Sequence, residues 1–259
     1  MTVNPSARKN IVRRFLRLWF HLYELKIHGL KNIPYGVPKI GLINHQNFLD
    51  SQVCGLYLDG IALGKKDLWD GILGKLIVGP WLDSLGGVPF DRFAPTPSAA
   101  KQIFKTLNDG GYVGYAPEAT RFFGCVGYLY LDLLMISKER VPNAEILLVG
   151  THYSHPIPRL NERLGEGVPF PGTKIEFWFE TLQQYWNTNE KLRDVVNDQE
   201  CLDILIGGGE PLKEMRDKKE AKLESRVQWL IGNSLAMLSG NDIPYNPEKS
   251  FEKKYGLIE

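Results

Sequence analysis

The chain has 259 residues, 43% of them apolar and 24% charged, with a net charge of +1. That length and balance provide for one substantial core and exclude a disordered chain, and the near-neutral charge, with no zinc spacing or nucleic-acid motif, excludes a strongly basic nucleic-acid binder. Cys54, Cys125 and Cys201 are odd in number and far apart, so they read as unpaired thiols in a reducing compartment, each a small buried apolar residue rather than a nucleophile.

The first 23 residues carry Arg8, Lys9, Arg13, Arg14 and Arg17 and no acid, while Ile11, Val12, Phe15, Leu16, Leu18, Trp19, Leu22 and Tyr23 recur at helical spacing. This predicts a basic amphipathic helix. Its composition suits a membrane interface, with Arg13, Arg14 and Arg17 at anionic headgroups and Phe15, Trp19 and Leu22 below them. Docking of the same helix on the protein's own core explains the pattern equally well. An Arg-rich, acid-poor targeting segment is a third reading, against which its single serine counts. No secretory signal is expected, since no apolar run is followed by a small-residue cleavage site. A membrane span is not expected either. The longest nearly uncharged stretch, between Arg121 and Lys138, is broken by Gly124, Gly127 and Asp132 and falls short of the about 20 apolar residues that a spanning helix needs.

Beyond this helix, apolar runs and helical patterns alternate. Strands are predicted at Lys39 to Ile43, Ile61 to Leu63, Gly87 to Phe90, Tyr112 to Tyr115, Glu145 to Thr151 and Lys174 to Phe179. Helices are predicted at Asp50 to Leu58, within Asp67 to Trp81, at Pro97 to Asn108 and at Gly127 to Arg140. Such alternation predicts an α/β fold, a mixed sheet with helices on both faces. From Glu190 the pattern is helical, with a gap at Gly207-Gly208-Gly209 and a second helix from Pro211 to about Leu238. No Lys-Ser or Lys-Thr follows these glycines, so they read as a helix-ending turn rather than a phosphate loop. The expected organisation is a basic interface helix over 1–25, a single α/β domain over 26–240 and a tail over 241–259.

Chemistry concentrates in His45-Gln46-Asn47-Phe48-Leu49-Asp50, directly after the first predicted strand. Histidine takes a proton near neutral pH and does so best when a carboxylate holds its other ring nitrogen. Five positions is too far for one face of a continuous helix. The pair works if His45 lies on the loop leaving the strand and Asp50 in the first turn of the next helix. Three further stretches follow in order: Gly86-Gly87-Val88-Pro89-Phe90-Asp91-Arg92, Tyr115-Ala116-Pro117-Glu118-Ala119-Thr120-Arg121, and Glu145-Ile146-Leu147-Leu148-Val149-Gly150. His152 and His155, three apart, have no third ligand near in sequence, so no metal site is expected. No G-x-S-x-G elbow exists for a serine hydrolase.

These four blocks, in this order, resemble those of the glycerolipid acyltransferases typified by lysophosphatidate acyltransferase, over about Leu25 to Glu180. The resemblance implies the fold of that family and an O-acyl transfer from a thioester donor, acyl-CoA or acyl-carrier protein, to a lysophosphatidate-like acceptor. It implies His45 as catalytic base, Asp50 as its orienting partner, and Asn44, Arg92, Glu118, Thr120 and Arg121 around the substrate, with no cofactor. The guanidinium groups of Arg92 and Arg121 suit a phosphate, which they meet through a planar fork. Backbone amides near Gly87 or Ala119 are candidates for the oxyanion donor. Attachment to the cytoplasmic side of a membrane as a peripheral protein is expected, with no nucleic-acid partner. The chain departs from the family pattern at Ala119, where glycine is usual, in a last block without its proline, and at Phe122-Phe123-Gly124-Cys125, where a basic segment is common. Those departures leave other acceptors open: glycerol 3-phosphate, a lyso-aminolipid or a glycolipid. A non-catalytic lipid-binding protein on the same fold is the alternative from another class.

Overall fold

A computed structural model describes residues 5–47, 49–91, 94–118, 126–154, 159–161, 165–166, 169, 171–217, 221–240 and 245. Its centre is a sheet of strands β1 (Glu24–His28), β2 (Lys39–Ile43), β3 (Gly60–Lys65), β4 (Gly87–Phe90), β5 (Tyr112–Tyr115), β6 (Glu145–Tyr153) and β9 (Lys174–Thr181), with Arg159–Asn161 (β7) and Gly165–Glu166 (β8) forming a separate antiparallel pair. The seven strands lie in the order β1-β9-β6-β2-β5-β3-β4. Strands β6, β2, β5, β3 and β4 run parallel, whereas β9 is antiparallel to β6 and β1 parallel to β9. The sheet is therefore mixed, as the alternating pattern predicts.

All five residues of β2 are buried, as a central strand covered on both faces requires. Along β6 the two-residue period divides the core: Ile146 and Leu148 face one layer, Leu147 and Val149 the other. The first layer is made by α5 (Pro97–Asn108), α6 (Asp132–Arg140), α7 (Leu182–Thr188), α8 (Glu190–Val196), α9 (Gln199–Gly207), α10 (Gly209–Asp217) and α11 (Ala221–Leu238). The second holds α1 (Pro5–Phe20), α2 (Leu49–Tyr57), and α3 (Gly71–Leu73) and α4 (Gly79–Ser84), which flank a single π-helical turn at Gly74–Val78. Helix α5 shows why these residues form these elements. Thr96 caps it by accepting from the Ala99 amide, Pro97 stands first in the helix, and Ala99, Ile103 and Leu107 present one apolar stripe.

Several expectations change. The N-terminal helix docks on the core: Val12, Leu16 and Phe20 sink in at four-residue spacing, while Ile11, Phe15 and Leu18, with Leu22 just beyond the helix, stay exposed. Trp19, expected on the lipid side, is half-buried beside Phe20 and Tyr23. Strand β1 was not anticipated, because its residues Glu24-Leu25-Lys26-Ile27-His28 alternate on an edge rather than forming an apolar run. The helix expected from Gly127 begins at Asp132, and residues 126–131 are irregular. Of the helix expected from Pro211 to Leu238, Gly209–Asp217 (α10) and Ala221–Leu238 (α11) are helical, and residues 218–220 between them lie outside the described residues. The break between α9 and α10 is at Gly208, whose φ of 59° and approach to the Lys138 carbonyl, 2.4 Å from where a Cβ would stand, exclude a side chain. Cys54 and Cys201 are buried free thiols, and burial pushes that of Cys201 up to about 12. Cys125 lies outside the described residues. Of the expected tail only Tyr245 is described, and it is buried, its hydroxyl donating to Gln228 Oε1 at 3.0 Å.

Strand direction places the functional loops. The carboxyl ends of β2, β5, β3, β4 and β6 lie along one edge of the sheet. Because β9 runs the other way, with Ile175 opposite Tyr153, the start of β9 and the start of β1 stand at that same edge. The chain leaving α1 therefore arrives where the loops after β2, β3 and β5 emerge.

Candidate active site

Strand β2 delivers Asn44 and His45 to the carboxyl edge, and α2 begins four residues later, so that Asp50 falls in its first turn. The Asp50 carboxylate turns back onto the loop. Its Oδ2 accepts from the Gln46 and Asn47 amides, each at 2.8 Å, and from His45 Nδ1 at 3.1 Å. Its Oδ1 accepts from the Tyr153 hydroxyl at 2.5 Å. Asp50 is buried while the His45 side chain is 24% exposed, so the pair has a sealed end and an open end. With Nδ1 donating to the carboxylate, the proton-accepting nitrogen is Nε2.

The backbone of His45 is fixed from the other side. Its amide donates to Glu118 Oε1 at 2.7 Å, and Glu118 Oε2 accepts from the Gly127 amide at 2.8 Å. Glu118 is fully buried, and burial pushes its carboxyl up to about 8 despite the two amides, with Asp50 adding to the rise. Its two oxygens therefore hold protein backbone in the turn after β5, whereas the sequence places Glu118 at the substrate. Asn44 is likewise fully buried and fully used. Its Nδ2 donates to the Thr151 carbonyl at 3.2 Å, and its Oδ1 accepts from the Thr151 amide at 2.6 Å. Gln46 Nε2 donates to the same carbonyl at 2.7 Å. These bonds lock the ends of β2 and β6 together beneath His45.

Arg92, Thr120 and Arg121 lie outside the described residues, as do Ala119 and His155. Asp91, at the end of β4, accepts from the Ala94 amide at 3.3 Å. Gly86, with φ 82° and the Gly60 carbonyl 2.4 Å from where a Cβ would stand, lets β4 close onto β3, and Gly87 pairs with Ala62. The glycines of the second block thus have a packing reason of their own. Among the described residues no three His, Cys, Asp or Glu side chains group to hold a metal ion, and no helix is long and apolar enough to cross a membrane.

Residues 24–133 match the model of a family described as Acyltransferase. The match is to a segment of the chain rather than to its whole length. That segment carries His45, Asp50 and Glu118 together with Arg92, Thr120 and Arg121, and it ends before β6, so that Thr151 and Tyr153 complete the His45 loop from outside the matched segment. Among solved structures the chain is similar to the 1-acyl-sn-glycerophosphate (LPA) acyltransferase PlsC from Thermotoga maritima, with 19% identity and a TM-score of 0.49 over 87% of this chain and 84% of that one. A search of curated proteins returned no match.

Tyr153, like Thr151, is a site residue that sequence reasoning missed. It ends a strand singled out for its apolar residues, 103 positions from Asp50, and no local spacing signals the contact. The one available signal was that a tyrosine at the end of a buried strand needs a partner for its hydroxyl.

Proposed function

We propose that the protein is a membrane-surface O-acyltransferase that moves a fatty acyl group from a thioester donor, acyl-CoA or acyl-carrier protein, to the hydroxyl of a lysophosphatidate-like acceptor. The observation that carries this reading is the pairing of His45 Nδ1 with the buried Asp50 carboxylate, which leaves the partly exposed imidazole able to take a proton through Nε2. The acceptor hydroxyl gives its proton to Nε2 as its oxygen attacks the thioester carbonyl. The tetrahedral intermediate then expels the thiolate, and the imidazolium returns the proton to it. No covalent enzyme intermediate is needed, because the thioester is already activated.

Arg92 and Arg121 are assigned to the acceptor phosphate, with Thr120 beside them. Glu118 and Asn44 are assigned to holding the His45 loop, on the strength of their bonds to backbone. The exposed stripe of α1 supports attachment to a membrane surface, on its cytoplasmic side, where anionic headgroups attract Arg14 and Arg17. The test is His45→Ala assayed with acyl-CoA and lysophosphatidate. Turnover is expected to fall by roughly 10²–10⁴-fold, the usual contribution of a general base, with the circular dichroism spectrum unchanged. Near-normal turnover in this variant would exclude the mechanism.

A further inference from the structure

The carboxyl edge carries a second apolar surface, one that the catalytic reading does not use. Between β3 and β4, Leu68, Ile72, Leu73, Leu76 and Ile77 are each 45% to 78% exposed. These side chains are held outward by a built turn. Trp69 occupies its inside, with Nε1 donating to Asp83 at 2.8 Å, and Gly74 and Gly79 lie so close to Trp69 that a Cβ on either would stand 2.7 Å from it.

This turn is continuous with the exposed stripe of α1. The rings of Phe15 and Trp81 meet edge to face at 5.6 Å, joining it to Ile11, Phe15, Leu18 and Leu22, which are 51% to 69% exposed. Both surfaces reach the edge at which His45 opens, one at the end of β3 and the other at the chain entering β1. Around them Arg14, Arg17, Lys65, Lys66 and Lys75 are exposed, against the acids Asp67, which Lys65 binds at 2.6 Å, Asp70, and Asp83, which accepts from Trp69. The geometry points to the turn over residues 68–78 as a second membrane-inserting element, which sinks its aliphatic side chains into an anionic lipid surface beside α1 and seats the His45 opening at the interface.

This inference rests on the proposed reaction at a membrane. A lipid surface is the occupant that fits, because it asks only for apolar area ringed by cations. A specific protein interface draws on aromatic and arginine anchors, and the exposed large apolar residues of this turn, Leu68, Ile72, Leu73, Leu76, Ile77 and Val78, are all aliphatic.

The test uses the full chain and vesicles of equal parts phosphatidylglycerol and phosphatidylcholine with brominated acyl chains. Ile72→Trp and Leu18→Trp report insertion at the turn and at α1, each as quenching in excess of the parent protein. Flotation of a Leu73→Ser/Leu76→Ser/Ile77→Ser variant reports its contribution to binding. Quenching at both positions is expected, with partition of the triple variant weakened on the order of tenfold or more, since insertion strength scales with buried apolar area. Turnover of that variant on an acceptor dispersed as monomers should stay at the parent level, while turnover on vesicle-embedded acceptor falls. Quenching at Leu18→Trp alone, with unchanged flotation of the triple variant, overturns the inference and leaves membrane attachment through α1 intact. No vesicle binding by any form overturns both. A lipid-free dimer of the parent chain that the serines dissolve also overturns it, because the face would then be covered by a second copy.

Discussion

The loop from Asn44 to Asp50 and the turn from Leu68 to Val78 leave the same edge of the sheet, from β2 and β3, and they treat their side chains in opposite ways. In the first, polar groups are buried and matched: Asn44 with Thr151, the His45 amide with Glu118, and Asp50 with four donors. In the second, large apolar groups are exposed. Burial of polar atoms is tolerated only where each finds a partner, and the exposure of large aliphatic groups forfeits the main favourable term of folding. The first region is therefore specified by the chain itself, and the second calls for something outside it.

Perturbing the two regions should give effects of very different size. The largest is expected from Asp50→Ala, which strips a buried acceptor from four donors. Breaking a buried charged pair in this way costs about 3–5 kcal/mol, and chemical denaturation would measure it. A loss below 1 kcal/mol would mean that the loop closes by itself. Next comes pH. Glu118 has a folded-state pKa raised from 4.5 to about 8, so its contribution to stability is fully present below the lower value and is lost as pH rises through the upper one. Denaturation series between these values should show stability falling by at most about 1.4 kcal/mol per pH unit from this group. Glu118→Gln should flatten the slope and lower stability throughout, since its amide nitrogen cannot accept from a backbone N–H.

Tyr153→Phe removes one donor to a carboxylate and should cost about 1.5–3 kcal/mol. If Tyr153 positions the Asp50–His45 pair, kcat falls with acceptor KM unchanged and the acid limb of the pH profile shifts. A loss of stability with kcat intact would make the contact purely structural. The smallest effect is expected on the other side of the comparison. Leu73→Ser/Leu76→Ser/Ile77→Ser should change unfolding free energy by no more than about 0.5 kcal/mol per site, as exposed positions do. A large loss would show that these side chains pack within the protein and would dissolve the contrast between the two regions.

The division between what the sequence showed and what it concealed follows the range of the contacts. His45 and Asp50 were legible because a loop and a first helical turn bring positions five apart together, and the alternation of apolar strands and helices specified a mixed sheet. Tyr153 and Thr151 were not legible, since they reach Asp50 and Asn44 across more than 100 residues and only the pairing of β2 with β6 delivers them. For α1 the periodicity showed that one face is apolar, while the register of the helix on the sheet decides that Val12, Leu16 and Phe20 go in and Phe15 and Leu18 stay out. Glycines tell the same story. Gly86 and Gly208 are marked by positive φ and a close carbonyl, and neither constraint is visible without the neighbouring chain.

In the proposed reaction the four donors around Asp50 also bear on rate. A carboxylate met by Tyr153 and by two amides of its own loop needs no rearrangement when a proton arrives at His45, because the dipoles that stabilise the resulting charge pair already point at it. Solvent around a free imidazole would have to reorient at that moment, and the work of doing so is part of the uncatalysed barrier. Here that reorganisation was completed when β2, α2 and β6 came together, so the ordering of the base belongs to folding and drops out of the activation entropy of each turnover.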